Sequence, residues 1–290
     1  PLAVAAGAQD LFRPSGWLKI FHLSSTFDVG AREAEKLKGF GLSVDILTTR
    51  ELLNREPHLT PPCGALHFLD TASVIDPAAL SQAYLDLFLS RGGRFMAGDA
   101  RTLEQDMRGW RLKTTQEQLF VNDAVVALGP WSDYVYRPLS YRIPLGVKRG
   151  YHMHYAPDKD RQIFHPILDA DHGFLLAPMA RGVRLTTGAE FADRDAPSTP
   201  VQIDRCEPLA RQLAPLGDRI DQTPWMGARP CLPDMLPVIG PAPAHKGLWF
   251  NFGHAHHGLT LGPVTGRLLA ELMTGESPFI DPRPYRADRF

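Results

Sequence analysis

The spacing of apolar and polar positions predicts a chain of alternating helices and strands. Residues 28–40 carry apolar positions at helical spacing in an Ala-, Glu- and Lys-rich stretch that Gly39 and Gly41 close, which predicts an amphipathic surface helix. Asp76-Pro77 supplies an N-cap and a proline at the first helical position. Leu80, Tyr84, Leu87 and Phe88 then share one face until Gly92-Gly93, which predicts a second helix. From Arg94 to Leu128 the period falls to two. Short strands are predicted near residues 94–98, 101–105, 110–114 and 119–120, an antiparallel ribbon feeding a buried strand at 124–128.

Between Ile143 and Ile220 strand-like pieces at 147–155, 173–178 and 183–188 precede a helix around 203–213, so this stretch reads as a separate, sheet-based lobe. The last part returns to a buried strand, Leu248-Trp249-Phe250-Asn251-Phe252, then a glycine-bearing turn and a helix to about Thr274, with Gly275 just past its end. Strand, tight turn and helix is a ligand-binding arrangement in α/β sheets.

Composition narrows the function classes. In 290 residues, hydrophobic types make up 44% and charged types 22%, ordinary for a compact globular protein. Lys+Arg 31 against Asp+Glu 32 gives a formal net charge of -1, so the chain lacks the overall positive field that binds a nucleic acid backbone. No apolar run reaches the roughly 18–20 residues of a membrane helix. Cys63, Cys206 and Cys231 stand alone without a CxxC, which predicts neither a disulfide framework nor a thiolate zinc site and makes a reducing, cytoplasmic compartment the expectation. The chain starts on Pro1 rather than Met, the start expected of a processed or partial chain.

Candidate chemistry concentrates in four stretches. In Gly253-His254-Ala255-His256-His257-Gly258-Leu259-Thr260 a helix start leaves backbone N–H groups free, with the positive end of the helix dipole behind them, to stabilise an anion or a polarised carbonyl. Gly258, Gly262 and Gly266 lie on one helical face, where a flat ligand or a packed strand accounts equally well for them. Arg229, in the apolar and proline-constrained Trp225-Met226-Gly227-Ala228-Arg229-Pro230-Cys231, offers a bidentate carboxylate partner, and an internal ion pair accounts equally well for it. Gly129-Pro130-Trp131-Ser132 is a tight turn that touches a cofactor or simply ends a strand. Tyr151, after Lys148-Arg149-Gly150, reads first as a plain strand residue and second as a pocket residue. His254 with His256, and His152 with His154, have the two-residue spacing of some zinc sites, but without HExxH or a carboxylate at helical spacing no metal is expected.

Taken in order, Ser15-Gly16-Trp17-Leu18, Val74-Ile75-Asp76-Pro77, Val125-Val126-Ala127-Leu128-Gly129-Pro130-Trp131-Ser132, Pro144-Leu145-Gly146-Val147-Lys148-Arg149-Gly150-Tyr151, Gly227-Ala228-Arg229-Pro230 and the closing Gly-His…His-Gly turn resemble the FAD-dependent amino-acid oxidoreductases of the D-amino-acid dehydrogenase, glycine oxidase and sarcosine oxidase type. The resemblance covers nearly the whole chain. It implies an α/β (α+β) fold in which a Rossmann-type FAD-binding domain with a β-meander is interleaved with a sheet-based substrate domain. Residues 1–75 and 143–224 would then belong to the substrate domain, and 76–142 and 225–290 to the FAD-binding domain.

The resemblance further implies that Arg229 binds the substrate carboxylate. Gly253, His254, His257, Gly258, Leu259 and Thr260 would face the flavin, Leu128, Gly129 and Trp131 would line it, and Ala100, in the strand before the ribbon, would meet the adenine through its backbone. His256 stands where glycine oxidase-like relatives carry an arginine, so a second carboxylate contact and a flavin contact both stay open for it. Tyr151 is a pocket residue on the same analogy. The implied partners are a small amino acid or amine and an electron acceptor, oxygen or quinone. Docking at the inner face of a membrane stays open.

One departure is large: no G-x-G-x-x-G occurs in the chain, and Gly39-Phe40-Gly41 lacks the third glycine and follows no predicted strand. The pyrophosphate-binding unit is therefore expected to be absent, FAD affinity lost or reduced, and an apolar surface bared. The activity implied is hydride transfer from Cα to flavin followed by imine hydrolysis. The competing expectations are a non-catalytic binding module and a histidine-based metal enzyme.

Overall fold

The computed structural model describes all residues, Pro1–Phe290. They divide into two compact units, each drawn from separated stretches: Pro1–Leu87, Gly150–Ala189 and Pro197–Gly227 in the first, and Phe88–Arg149, Glu190–Ala196 and Ala228–Phe290 in the second. The sequence-based boundaries at 75/76, 142/143 and 224/225 differ from these by 3 to 12 residues. The physical reason is that the helix Pro77–Ser90 and the strands Gly146–Pro157 and Trp225–Cys231 each run from one unit into the other. A boundary inside a continuous element leaves no loop signature in the sequence.

The first unit is built on a sheet whose strands follow the order Leu216–Arg219, Gly146–Pro157, Gly182–Thr186, Phe174–Met179, Ile167–Asp169, Trp17–Phe21, Gly64–Phe68 and Val44–Thr48. Its pairings are antiparallel except Ile167–Asp169 against Trp17–Phe21, where Ile167 lies opposite Leu18. Alternation sorts the two faces. Tyr151, Met153, Tyr155, Leu176 and Leu185 are buried in one core with Leu18, Ile20 and the helix residues Ile203, Ala210 and Leu213. Each such side chain contributes roughly 1.5–3 kcal/mol through burial. His152 and His154, out of step with that core, pair across the sheet with Thr186 and Arg184 and share the opposite face with them.

The helix Pro77–Ser90 starts as its cap predicts: Asp76 Oδ1 accepts from the Ala78 and Ala79 N–H groups at 3.0 Å each. The earlier helix begins at Ser24 rather than 28 and ends on Gly39, because Ser24, Ser25 and Thr26 form a polar first turn that carries no apolar period.

The second unit holds a three-stranded sheet with Leu248–Phe252 between Val238–Pro241, antiparallel, and Ala124–Val126, parallel. A three-stranded meander, Glu104–Asp106, Gly109–Lys113 and Gln118–Val121, lies in the same unit. Val126, Tyr136, Leu248, Phe250 and Phe252 form the core, with the Tyr136 and Phe252 rings stacked 5.4 Å apart.

Two predicted strands are corrected here. Residues 94–98 make a single bridge, Gly98 to Thr114, because the stretch is largely solvent-exposed with no second strand to pair along its length. Residues 101–105 start instead with the 3₁₀ turn Ala100–Thr102, which the Asp99 carboxylate caps by accepting from the Arg101 N–H at 3.0 Å, so the strand begins at Glu104. Ala100 therefore opens a turn and does not lie in a strand. The apolar run at 124–128 leaves the sheet at Val126, since Leu128 turns into the 3₁₀ turn Gly129–Trp131.

Candidate functional site

Ala124–Val126 and Leu248–Phe252 run parallel with Phe250 opposite Val126, so the turns that follow them leave the same edge of the sheet. One turn holds Leu128, Gly129 and Trp131; the other runs from Gly253 to His257. Carboxyl-end turns on neighbouring parallel strands are where α/β sheets bind ligands.

Gly129 is left-handed at φ +55° and a Cβ added there meets nothing within 4 Å, while Trp131 is half exposed. Gly253 has φ +89° and its missing Cβ would fall 2.6 Å from Leu232, so glycine is demanded on steric grounds. Ala255 sits at φ +50°, uncommon for a residue with a side chain, and its N–H is tied to the Pro230 carbonyl at 2.8 Å. That bond fixes the turn against the strand Trp225–Cys231, which carries Arg229 one position earlier.

The helix Gly258–Thr274 starts from His257 with no side-chain cap. Its first residues, Gly258, Leu259 and Thr260, are exposed, so their N–H groups face outward with the helix dipole behind them. A Cβ at Gly258, Gly262 or Gly266 meets nothing within 4 Å. Packing inside this chain therefore does not explain these glycines, and the face is open to a flat ligand.

His254 turns back toward the helix. Its Nε2 lies 3.1 Å from Thr265 Oγ1, whose hydroxyl donates to the Leu261 carbonyl at 3.0 Å. Burial holds the imidazole below its ordinary pKa, so the neutral ring donates to Thr265 and braces the turn. His256 and His257 are exposed, with ring centroids 3.7 Å apart. His256 is also held below its usual value, first by desolvation and then by the charges of His257, Arg229 and Lys148. Arg229, Lys148 and His256 thus share one electrostatic neighbourhood. Lys148 was not singled out in the sequence, where it is one basic residue beside another; Arg149, by contrast, is buried and donates to Glu190 at 2.7 Å.

Tyr151 belongs to the first unit, where its ring is 1% exposed and its hydroxyl accepts from the Thr199 N–H at 3.0 Å. His22, Asp169 and His172, also in the first unit, bring three potential metal ligands together, but both imidazoles bond the same Asp169 oxygen, at 2.8 and 2.9 Å. Those hydrogen bonds hold the three side chains together.

The family description "FAD dependent oxidoreductase" matches residues 2–272. The chain belongs to that family. The chain is 31% identical over 192 residues to the glycine oxidase of Pseudomonas aeruginosa, a match covering 63% of the chain and 52% of that protein. It is 28% identical over 289 residues to the D-amino acid dehydrogenase of Cereibacter sphaeroides, covering 96% of the chain and 65% of the relative. The chain thus spans between half and two thirds of the length of these relatives. Among solved structures, glycine oxidase from Geobacillus kaustophilus superposes with a TM-score of 0.84 at 24% identity over 100% of the chain and 78% of that structure, which establishes the shared mixed α/β fold. No helix of the family member is long and apolar enough to cross a membrane.

Proposed function

We propose that the chain is part of a flavoenzyme that oxidises a small amino acid or secondary amine at the carbon bearing nitrogen. What supports this reading is an uncapped helix start next to an open glycine face, tied through the Ala255 N–H to Pro230 carbonyl bond to the strand that carries Arg229. The residues present fit the flavin end of FAD: bare glycines, outward N–H groups and a half-exposed tryptophan suit a flat, electron-accepting ring. FAD, when bound, supplies the two-electron acceptor.

The chain's own residues bind and orient. The Arg229 guanidinium clasps the substrate carboxylate, and Lys148 adds a second positive charge that favours an acid group. His256, neutral near pH 7, can accept a hydrogen bond from the substrate amine or donate one to the acid group. The Gly258–Thr260 N–H groups stabilise negative charge placed at the helix start. The oxidised substrate is an imine, which water hydrolyses to a keto acid and ammonia or an amine. Oxygen and quinone both suit as the terminal acceptor.

The test is anaerobic bleaching of the FAD-loaded chain by glycine, sarcosine and D-amino acids, with Arg229→Gln in parallel. Losing one partner of a hydrogen-bonded charge pair costs roughly 2–5 kcal/mol, so half-bleaching should need ~30-fold or more additional substrate in the variant. Equal bleaching at equal concentration would remove Arg229 from the site. Absence of FAD uptake by the parent would favour a non-catalytic binding module.

A further inference from the structure

Trp17–Phe21 and Ile167–Asp169 are the parallel pair of the first unit's sheet, with Ile20 opposite Asp169, so they end side by side. Each turn that follows delivers a histidine: His22 comes directly after the first strand, and His172 three residues after Asp169, which closes the second. Carboxyl ends of parallel strands are where α/β sheets place ligands. Asp169 is 1% exposed, and its two oxygens do different things. Oδ1 accepts from the Asp171 N–H at 3.2 Å and the His172 N–H at 3.0 Å, which fixes the carboxylate plane. Oδ2 faces His22 Nε2 at 2.8 Å and His172 Nδ1 at 2.9 Å, and one donor atom from each of the three residues lies within 4.8 Å of the other two. A second acid belongs to the same corner, since Asp171 Oδ2 accepts from the His22 N–H at 2.7 Å and the Leu23 N–H at 3.2 Å.

We propose that His22, Asp169 and His172 form a divalent-metal site that takes zinc or a metal of like preference, with water in the remaining position. Two imidazole nitrogens and one carboxylate oxygen suit zinc, whereas magnesium and calcium seek oxygen alone. Donors about 2.1 Å from a tetrahedral ion lie roughly 3.4 Å apart, so each ring has to back away from Oδ2 by about half an ångström. Side chains that are 31% and 36% exposed have room to do so. Two hydrogen bonds are then exchanged for two metal–nitrogen bonds. Each ring moves its proton to its other nitrogen, the nitrogen that faced Oδ2 offers its lone pair, and the proton count is unchanged. The backbone donors on Oδ1 become the outer shell that orients the ligating carboxylate. The ion joins segments 147 residues apart, a separation that no motif spacing displays. The site stands on the first unit alone and does not rest on the amino-acid oxidation proposed above.

The full chain, stripped with a chelator and dialysed, is titrated calorimetrically at pH 7 with zinc, with cobalt followed by its visible absorption and magnesium as the negative probe. One zinc per chain should bind, cobalt should develop the visible bands of a low-coordinate site, and magnesium should give no heat. His22→Gln and His172→Asn each keep an N–H donor for Asp169 but carry no imidazole lone pair. Their metal-free Tm should therefore stay close to the parent's, while zinc weakens at least ~10-fold, the loss that even an outer-shell change causes, and the zinc-dependent rise in Tm disappears. If one variant fails to fold, the other decides. His152→Gln and His256→Gln, from the two histidine pairs spaced by two in sequence, should leave zinc affinity unchanged. Absence of zinc binding by the parent, unchanged affinity in either folded variant of the site, or a loss of affinity in His152→Gln or His256→Gln would each overturn the proposal. A chain that binds zinc through His22 and His172 yet is never bleached by an amino acid keeps the metal site and loses the oxidation. Bleaching by an amino acid without zinc binding does the reverse.

Discussion

Glu56 offers the sharpest test of how the first unit is held together. It is fully buried at the end of the helix Thr49–Arg55, yet its carboxylate is occupied: Oε1 accepts from the Phe164 N–H at 2.9 Å, the His165 N–H at 2.7 Å and His165 Nδ1 at 2.6 Å, and Oε2 accepts from Phe164 at 3.1 Å. One side chain thereby anchors a segment more than a hundred residues away in sequence. Glu56→Ala removes the acceptor from all three donors. Hydrogen bonds to a charged group contribute roughly 1.5–3 kcal/mol each and do not add fully, so a loss of about 3–5 kcal/mol is expected. For a chain of this size that corresponds to a fall in Tm on the order of 6–15 °C.

Glu56→Gln keeps Oε1 and its three donors but turns an amide N–H₂ toward the Phe164 N–H, so a smaller loss of about 1–2 kcal/mol is expected. Urea unfolding followed by far-UV circular dichroism, with both midpoints compared with the parent, measures the two values. A Glu56→Ala midpoint within ~1 kcal/mol of the parent, or a Glu56→Gln loss equal to that of alanine, would refute the assignment of this carboxylate as the anchor.

The glycines make opposite predictions. Gly266→Ala adds a methyl in open space on a helix and should stabilise the ligand-free chain by roughly 0.5–1 kcal/mol while weakening FAD uptake in a fluorescence-quenching titration; unchanged FAD uptake would detach that face from the cofactor. Gly182→Ala, at φ +131° with the new Cβ 2.2 Å from the Tyr155 carbonyl oxygen, should cost about 2 kcal/mol or more by urea midpoint, and a neutral result would contradict the strand pairing. His152 carries a pH signature. Burial first, and the Arg184 charge next, lower its pKa from 6.5 to about 4, with His154 and Arg181 adding to the drop and Asp221 opposing it. Between those values the unfolded chain holds more protons than the folded one, so stability should fall as pH falls through that window. His152→Gln should flatten the difference between urea midpoints at pH 7 and pH 4.5; an unchanged slope would mean that His152 does not cause it.

Much of this protein was legible because it depends on neighbours in sequence. Asp76 caps its helix, Gly275 ends the last one in a left-handed turn at φ +74°, and Leu248–Phe252 is a strand at the predicted bounds, each through contacts spanning a few residues. The candidate site was legible in part: Arg229 and the Gly253–Thr260 turn stand out by residue type and spacing, and the structure adds the Ala255–Pro230 hydrogen bond that ties them together. Lys148 was not, because a basic residue in a strand looks the same in sequence whether it pairs, faces solvent or is left alone. Asp99 shows the converse case, where a short side-chain cap overrode a predicted strand.

The sequence by itself determined where helices start and stop and which residues alternate toward a core, since these follow from backbone sterics and from side chains within one or two turns of each other. Only the tertiary structure decided that Ile167 pairs with Leu18, that two units share helices and strands across their boundaries, and that His22 and His172 meet on one oxygen of Asp169. Strand order and charge pairing are settled by packing between segments far apart in the chain. No local preference encodes that competition.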